Sequence, residues 1–249
     1  MAVNLLEEFE VHHMSTPLFS MGGHEVTFTN SSLWMIASVI ASALLMIVAM
    51  RPQAVIPGRW QMLAETSYNL VANLVREAAG EQAKPFFPFI FSIFIFMFFC
   101  NLLGLIPYTF PVTAHIIINF SLAIFLFLVI TITGFVKHGT HFLHLFVPQG
   151  VPKVMLPLMV VIEMFSFMVR PFSLSIRLFA NMLAGHLLLI VFGSLTAGLM
   201  AAGWLAGLSV LPLALNIAIT GFEFFIAFLQ AYIFTILAAV YLRDALEMH

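Results

Sequence analysis

The sequence predicts an all-α polytopic membrane protein: five transmembrane helices plus one interfacial amphipathic helix, the last two helices long and strongly tilted as a hairpin. Three observations predict it. Of 249 residues, 62% are hydrophobic and only 8% are charged, against about 25% charged in a soluble domain. The mean hydropathy is +1.09. Uncharged apolar runs long enough to cross a hydrocarbon core of about 30 Å recur along the chain.

Each element follows in order within one membrane domain. Residues 1–32 form an outside tail. Its start, MAVNLLEEFEVHH, is acidic and lacks the basic segment and apolar core of a signal peptide. Residues 33–50 are the first span. Residues 60–80 read as the interfacial helix: Leu63, Leu70, Val71 and Leu74 share one face, while Glu65, Asn69, Asn73, Arg76 and Glu77 interrupt it. Residues 86–106 and 116–136 are the second and third spans. Beyond Lys153 the chain stays apolar to Leu242, and the stretch 193–203 (GSLTAGLMAAG) is the best turn. That leaves two segments, 154–192 and 204–243, each about 58 Å long at 1.5 Å per residue. A perpendicular span needs only about 20 residues, so a tilted hairpin is expected. The alternative is four shorter spans with breaks near Pro171 and Pro212.

Five crossings put Arg51, Arg59, Arg76, Lys84, Lys137, Lys153 and Arg243 on one side of the membrane and no Lys or Arg on the other. The positive-inside rule then places the N-terminus outside and the C-terminus in the cytoplasm. A net charge of −2 offers nothing to nucleic acid. The one cysteine, Cys100, excludes an internal disulfide and reads as a small buried hydrophobe. His138, His141 and His144 read as an interfacial loop anchored by Lys137, rather than a metal site; His12, His13 and His24 select no metal either. No nucleotide-binding or metalloprotease motif occurs.

Arg170 and Arg177 lie inside the fourth span. A central Arg costs at least about 2.5–3.5 kcal/mol on insertion scales and cannot shed its proton, so it persists only where something compensates. The alternative for either arginine is an internal ion pair that pins two helices, and snorkelling is a further account of Arg170. Glu163, Ser166, Arg170, Ser173, Arg177 and Asn181 recur at steps of 3, 4, 3, 4 and 4, one polar stripe on one helix face. His186 points half a turn away. On the last helix Asn216, Glu223, Gln230, Tyr241 and Asp244 share a face. Intramembrane ionisable groups are functional candidates, and carboxyl and imidazole groups exchange protons readily. The pattern suggests two half-paths for protons: an outer one with Glu223 and His186, and an inner one with Glu163 and Asp244. Arg177 between them repels a free proton and attracts a deprotonated carboxylate. The chain has no second mid-membrane acid to shuttle past Arg177, so the carrier belongs to a partner.

Three segments carry a resemblance to a known family. PFSLSIRLFANMLAGH (residues 171–186), GFEFFIAFLQAYIFTILAAVYLRDALEMH (221–249) and NLLGLIP (101–107) resemble the a subunit of the F-type ATP synthase membrane sector. The resemblance implies that Arg177 is the essential arginine facing the ring of c subunits, which supply the ion-carrying carboxylate. Asn181 and Gln230 match polar residues beside it, His186 and Glu223 the outer half-channel, and Glu163 and Asp244 the inner one. Asn101, Ser166, Ser173 and Tyr241 match secondary positions. The His and Glu placement is that of the mitochondrial and related bacterial proteins. The family implies a non-catalytic subunit without cofactor or metal, in the inner (plasma) membrane of a bacterium. Its partners would be the c-ring, b-type peripheral stalk subunits and the rest of the complex. The competing functions are a secondary proton-coupled transporter, which predicts inverted repeats that are not seen here, and an intramembrane enzyme, which lacks a nucleophile facing a His.

Overall fold

The protein is described by a computed structural model covering residues 10–12, 19–21, 24–50, 58–106, 109–147 and 155–246. Two short strands, β1 (Phe19–Met21) and β2 (His24–Val26), pair antiparallel in the tail. Six α-helices follow among the described residues: α1 (Asn30–Met50), α2 (Arg59–Ala79), α3 (Phe87–Gly104), α4 (Ile116–His138), α5 (Leu156–Ala201) and α6 (Val210–Leu246). Every one of them except α2 is long and apolar enough to cross a membrane. His13, Arg51, Pro107 and Lys153, and the side chains of His24 and His144, lie outside the described residues. Thr29 starts α1, its Oγ1 accepting from Ser32 N–H at 3.4 Å, which satisfies one of the free donors of a helix start.

Part of the apolar face of α2 is covered by the chain itself. Ala64, Val71, Leu74, Val75 and Ala79 are buried, whereas Leu63 is 52% exposed beside exposed Trp60 and Met62. The helix thus offers an apolar edge to its surroundings next to the face it buries. It stops at Gly80, whose φ of 68° closes the last turn by donating to Arg76 O at 3.1 Å. Glu81 then pairs with Arg76 at 3.4 Å and with Lys84.

The long segments depart from expectation in one respect. The glycine-rich stretch 193–203 does not turn along its length: α5 runs unbroken for 46 residues, through Pro171, Gly193 and Gly198, to Ala201. The chain reverses conformation at Gly203, with φ 63°, and a 3-10 segment (Gly203–Ser209) leads into α6. The reason is energetic. A helical Gly costs about 1 kcal/mol relative to Ala, but each unsatisfied backbone group in an apolar medium costs several. Pro171 likewise removes one hydrogen bond without ending the helix. The four-span alternative falls with these observations.

The chain forms two compact units. One comprises Met1–Ile47, Ile95–His115 and Leu178–Ala231. Its interior is built on small residues: Ala227 and Ala231 are fully buried, and Phe98 packs edge-on against Phe228 at 6.2 Å. In its connecting loop Thr109 Oγ1 contacts the Leu103 and Ile106 carbonyls at 2.7 Å. The second unit comprises Val48–Phe94, Ile116–Arg177 and Tyr232–His249. Phe120 and Phe127 of α4 pack on Phe172 and Phe167 of α5, each pair at 4.7 Å. Gly134 leaves room for the Phe142 ring. Lys137 Nζ donates to Gln82 Oε1 at 2.8 Å and to the Leu246 carbonyl at 3.3 Å, and a His138 ring nitrogen lies 3.2 Å from that same carbonyl. Lys137 thereby fastens the end of α6, as a cation near a helix C-terminus does.

Candidate functional site

The site residues divide between the two units. In the second unit, two arginines stand on one face of α5, seven residues and so about two turns apart. They are in opposite states. Arg170 Nη1 donates to Asp244 Oδ2 at 3.3 Å, and its Nη2 lies 3.9 Å from Glu163 Oε1. Its guanidinium carbon sits 5.0 Å from the centre of the Tyr241 ring and 5.7 Å from that of Phe167, within cation–π range. Arg170 is therefore paired and packed, and simple snorkelling does not describe it.

Arg177 is exposed, and no described carboxylate pairs with it. Both arginines line a cavity of about 440 Å³ together with Ser166, Ser173 and Tyr241. Ile233 and Leu237 give it apolar walls. Its hydroxyls can each donate and accept, and the bare guanidinium beside apolar surface attracts an anion strongly. Glu163 and Asp244 are half-exposed, with 41% and 37% of their side chains accessible. They touch this cavity through Arg170.

In the first unit the polar groups are buried. Glu223 is 6% exposed, and both of its carboxyl oxygens lack a hydrogen-bond partner among the described residues. A buried carboxyl in that condition is costly and calls for an explanation. The carboxyl packs where a side chain at Gly185 would otherwise stand. Gly185 precedes His186, itself buried, so α5 presents a gap and an imidazole at adjacent positions. Gln230 is buried on α6, and Asn216 is half-buried there, its amide against Gly193; the carbonyl oxygen of each lacks a described partner. Asn101, fully buried on α3, donates through Nδ2 to the Ala227 carbonyl at 3.2 Å and leaves Oδ1 unpaired. Asn181, by contrast, is exposed.

Two features escaped the sequence reading. Gly185 makes room for Glu223, and a glycine inside a helix directly before His186 was the available signal. Arg170 is the partner of both inner acids; the spacing of Glu163, Arg170 and Asp244 along two stripes contained that signal without the distance. Among the described residues, no group of three or more His, Cys, Asp or Glu side chains is placed to hold a metal ion.

Comparison with known proteins gives a consistent family. The family model described as ATP synthase A chain matches residues 32–243. ATP synthase subunit a of Pelagibacter ubique is 48% identical over 250 residues, covering 100% of both chains. That of Parvibaculum lavamentivorans is 51% identical, covering 98% of this chain and 94% of the relative. That of Rhizobium rhizogenes is 50% identical over 91% of each. The matches run through both arginines of α5 and the polar face of α6, and the chain belongs to the ATP synthase A chain family.

Proposed function

We propose that Arg177 separates two offset proton half-paths in the membrane sector of a rotary ATP synthase. The chain is the proton-conducting, non-catalytic stator subunit of F-type ATP synthase. Nucleotide chemistry takes place on other chains of the complex. A secondary transporter is not what these relatives are.

The observation that carries the reading is the state of Arg177: an exposed guanidinium on an apolar-walled cavity, with no pairing carboxylate among the described residues. Such a charge is poised for a carboxylate from outside the chain, and a ring of c subunits supplies one. The outer half-path runs by His186 and Glu223, with Asn216, Asn101 and Gln230 beside them. The inner one runs through the cavity of Ser166, Ser173 and Tyr241 to Glu163 and Asp244. Asn181 and Gln230 flank the crossing. A carrier carboxylate passing Arg177 is favoured in its ionised form there; it gives its proton to one path and takes a new one from the other. Arg177 also repels hydronium and so bars direct leakage.

In this reading the five spanning helices place the tail outside and the C-terminus in the cytoplasm of a bacterial inner membrane. At about 1.5 Å per residue, a 46-residue α5 is about 69 Å long against a core of about 30 Å, so α5 and α6 tilt steeply as they follow the ring. The b-type stalk subunits hold this chain against rotation. Each elementary charge crossing 100 mV releases about 2.3 kcal/mol to drive it.

The test is Arg177→Ala and Arg177→Lys, read as ATP-driven proton pumping in membrane vesicles of the assembled complex. Ala should abolish coupled pumping and open a passive leak. Normal coupled pumping in the Ala variant would overturn the proposal.

A further inference from the structure

We infer that Arg170 is a positioning residue of the inner path, clamping Glu163 and Asp244 and offsetting half of their charge so that Arg177 stays available to the carrier carboxylate. The inference rests on the reading of the inner path given above and goes one step beyond it.

The argument begins with the two arginines of one stripe. Arg170 uses one nitrogen for each acid, Nη1 toward Asp244 at 3.3 Å and Nη2 toward Glu163 at 3.9 Å. The planar fork suits this division, which a point charge such as an ammonium matches less well. The Tyr241 and Phe167 rings, at 5.0 and 5.7 Å, limit how the fork can turn. Glu163 is on the same helix, seven residues or about two turns before Arg170, whereas Asp244 comes from α6. One guanidinium therefore ties the two helices of the cavity together at its charged end. Arg177, seven residues further along α5 on the same cavity, takes part in no such pair among the described residues.

The charge count shows what this does. Arg170, Glu163 and Asp244 together carry a net −1. Without Arg170 the same place carries −2, about 10 Å along the helix from Arg177. At an effective dielectric constant of about 20, one charge at that separation alters an equilibrium on the order of tenfold. The added negative charge would partly satisfy Arg177 and repel the arriving carboxylate. Two like-charged acids, released from their clamp, would also separate from the cavity. Both effects slow the step at Arg177 and leave the barrier to leakage in place.

The experiment uses the assembled complex in inverted membrane vesicles, with ATP-driven proton pumping normalised to the amount of this subunit in the membrane. Arg170→Gln should lower pumping about tenfold without a passive leak, and Arg170→Lys should restore most of it. Asp244→Asn combined with Arg170→Gln should be no worse than the poorer single variant, because both act through one pair. Wild-type pumping in Arg170→Gln, or strictly multiplicative losses in the double variant, would overturn the inference. If Arg170→Gln fails to accumulate, Asp244→Asn breaks the same contact from the other side and should lower pumping without a leak; unimpaired pumping in it would overturn the inference. Arg177→Ala in parallel separates the two levels: its retained pumping would remove the underlying reading, while its loss together with a silent Arg170→Gln would remove only the role given to Arg170.

Discussion

Adding a single methyl group at Gly185 is the sharpest perturbation of the outer path. A Cβ built there falls 2.8 Å from Glu223 Cδ and 3.1 Å from its Cγ, and overlaps Oε1 outright. Ordinary carbon contacts begin near 3.5 Å, so the carboxyl must retreat by about 1 Å. Overpacking of this kind costs about 1–3 kcal/mol in stability. The functional cost is larger, because a displacement of about 1 Å in a positioned reacting group can lower a rate about 100-fold. Gly185→Ala should therefore leave the subunit in the membrane and lower ATP-driven proton pumping by ten- to 100-fold. It should cause no passive leak, since Arg177 is untouched. Glu223→Asp shortens the acid by one methylene and should partly restore pumping when combined with Gly185→Ala. Unimpaired pumping in Gly185→Ala, or a double variant that is simply the product of the singles, would refute the reasoning.

The remaining predictions concern the buried amide of α3 and the loop before α4. Asn101→Leu conserves shape and removes one hydrogen bond, worth about 1 kcal/mol, to the Ala227 carbonyl; assembly should survive while pumping falls several-fold, and unchanged pumping would remove Asn101 from the outer path. His115 stacks on Phe110 at 4.6 Å, its Nε2 is buried without a described partner, and burial holds its pKa below the usual imidazole value. The fold favours the neutral ring, so the loop's stability is full above about pH 6.5 and is lost as pH falls below that value through the lowered one. Hydrogen exchange of residues 109–115 should therefore speed up on mild acidification, and His115→Phe should abolish the pH dependence.

Much of this molecule was legible in composition and spacing, and the failures are instructive. The apolar runs could be read because a bilayer demands length and apolarity together. The end of α5 was misread because Gly193 and Gly198 carry a turn signal calibrated in water, where a broken helix can bond to solvent; in an apolar medium that escape is closed. Arg170 was open to two readings, an ion pair that pins two helices or snorkelling to the interface. Periodicity placed it beside Glu163 but could not place α6 or Asp244 against it.

The sequence by itself determined the membrane class, the number of spans, the isolated charge of Arg177 and the stripes on which the polar residues lie. These follow from local rules: the cost of charge in hydrocarbon, the helical repeat and the bias of basic residues. Only the tertiary structure decided which polar groups are paired and which are left bare. It closed Arg170 onto Asp244 and Glu163, left Arg177 open on the cavity, and seated the Glu223 carboxyl in the space that Gly185 leaves. The physical reason is that pairing depends on distances between helices far apart in sequence, and a difference of 1 Å there separates an ion pair from a free charge.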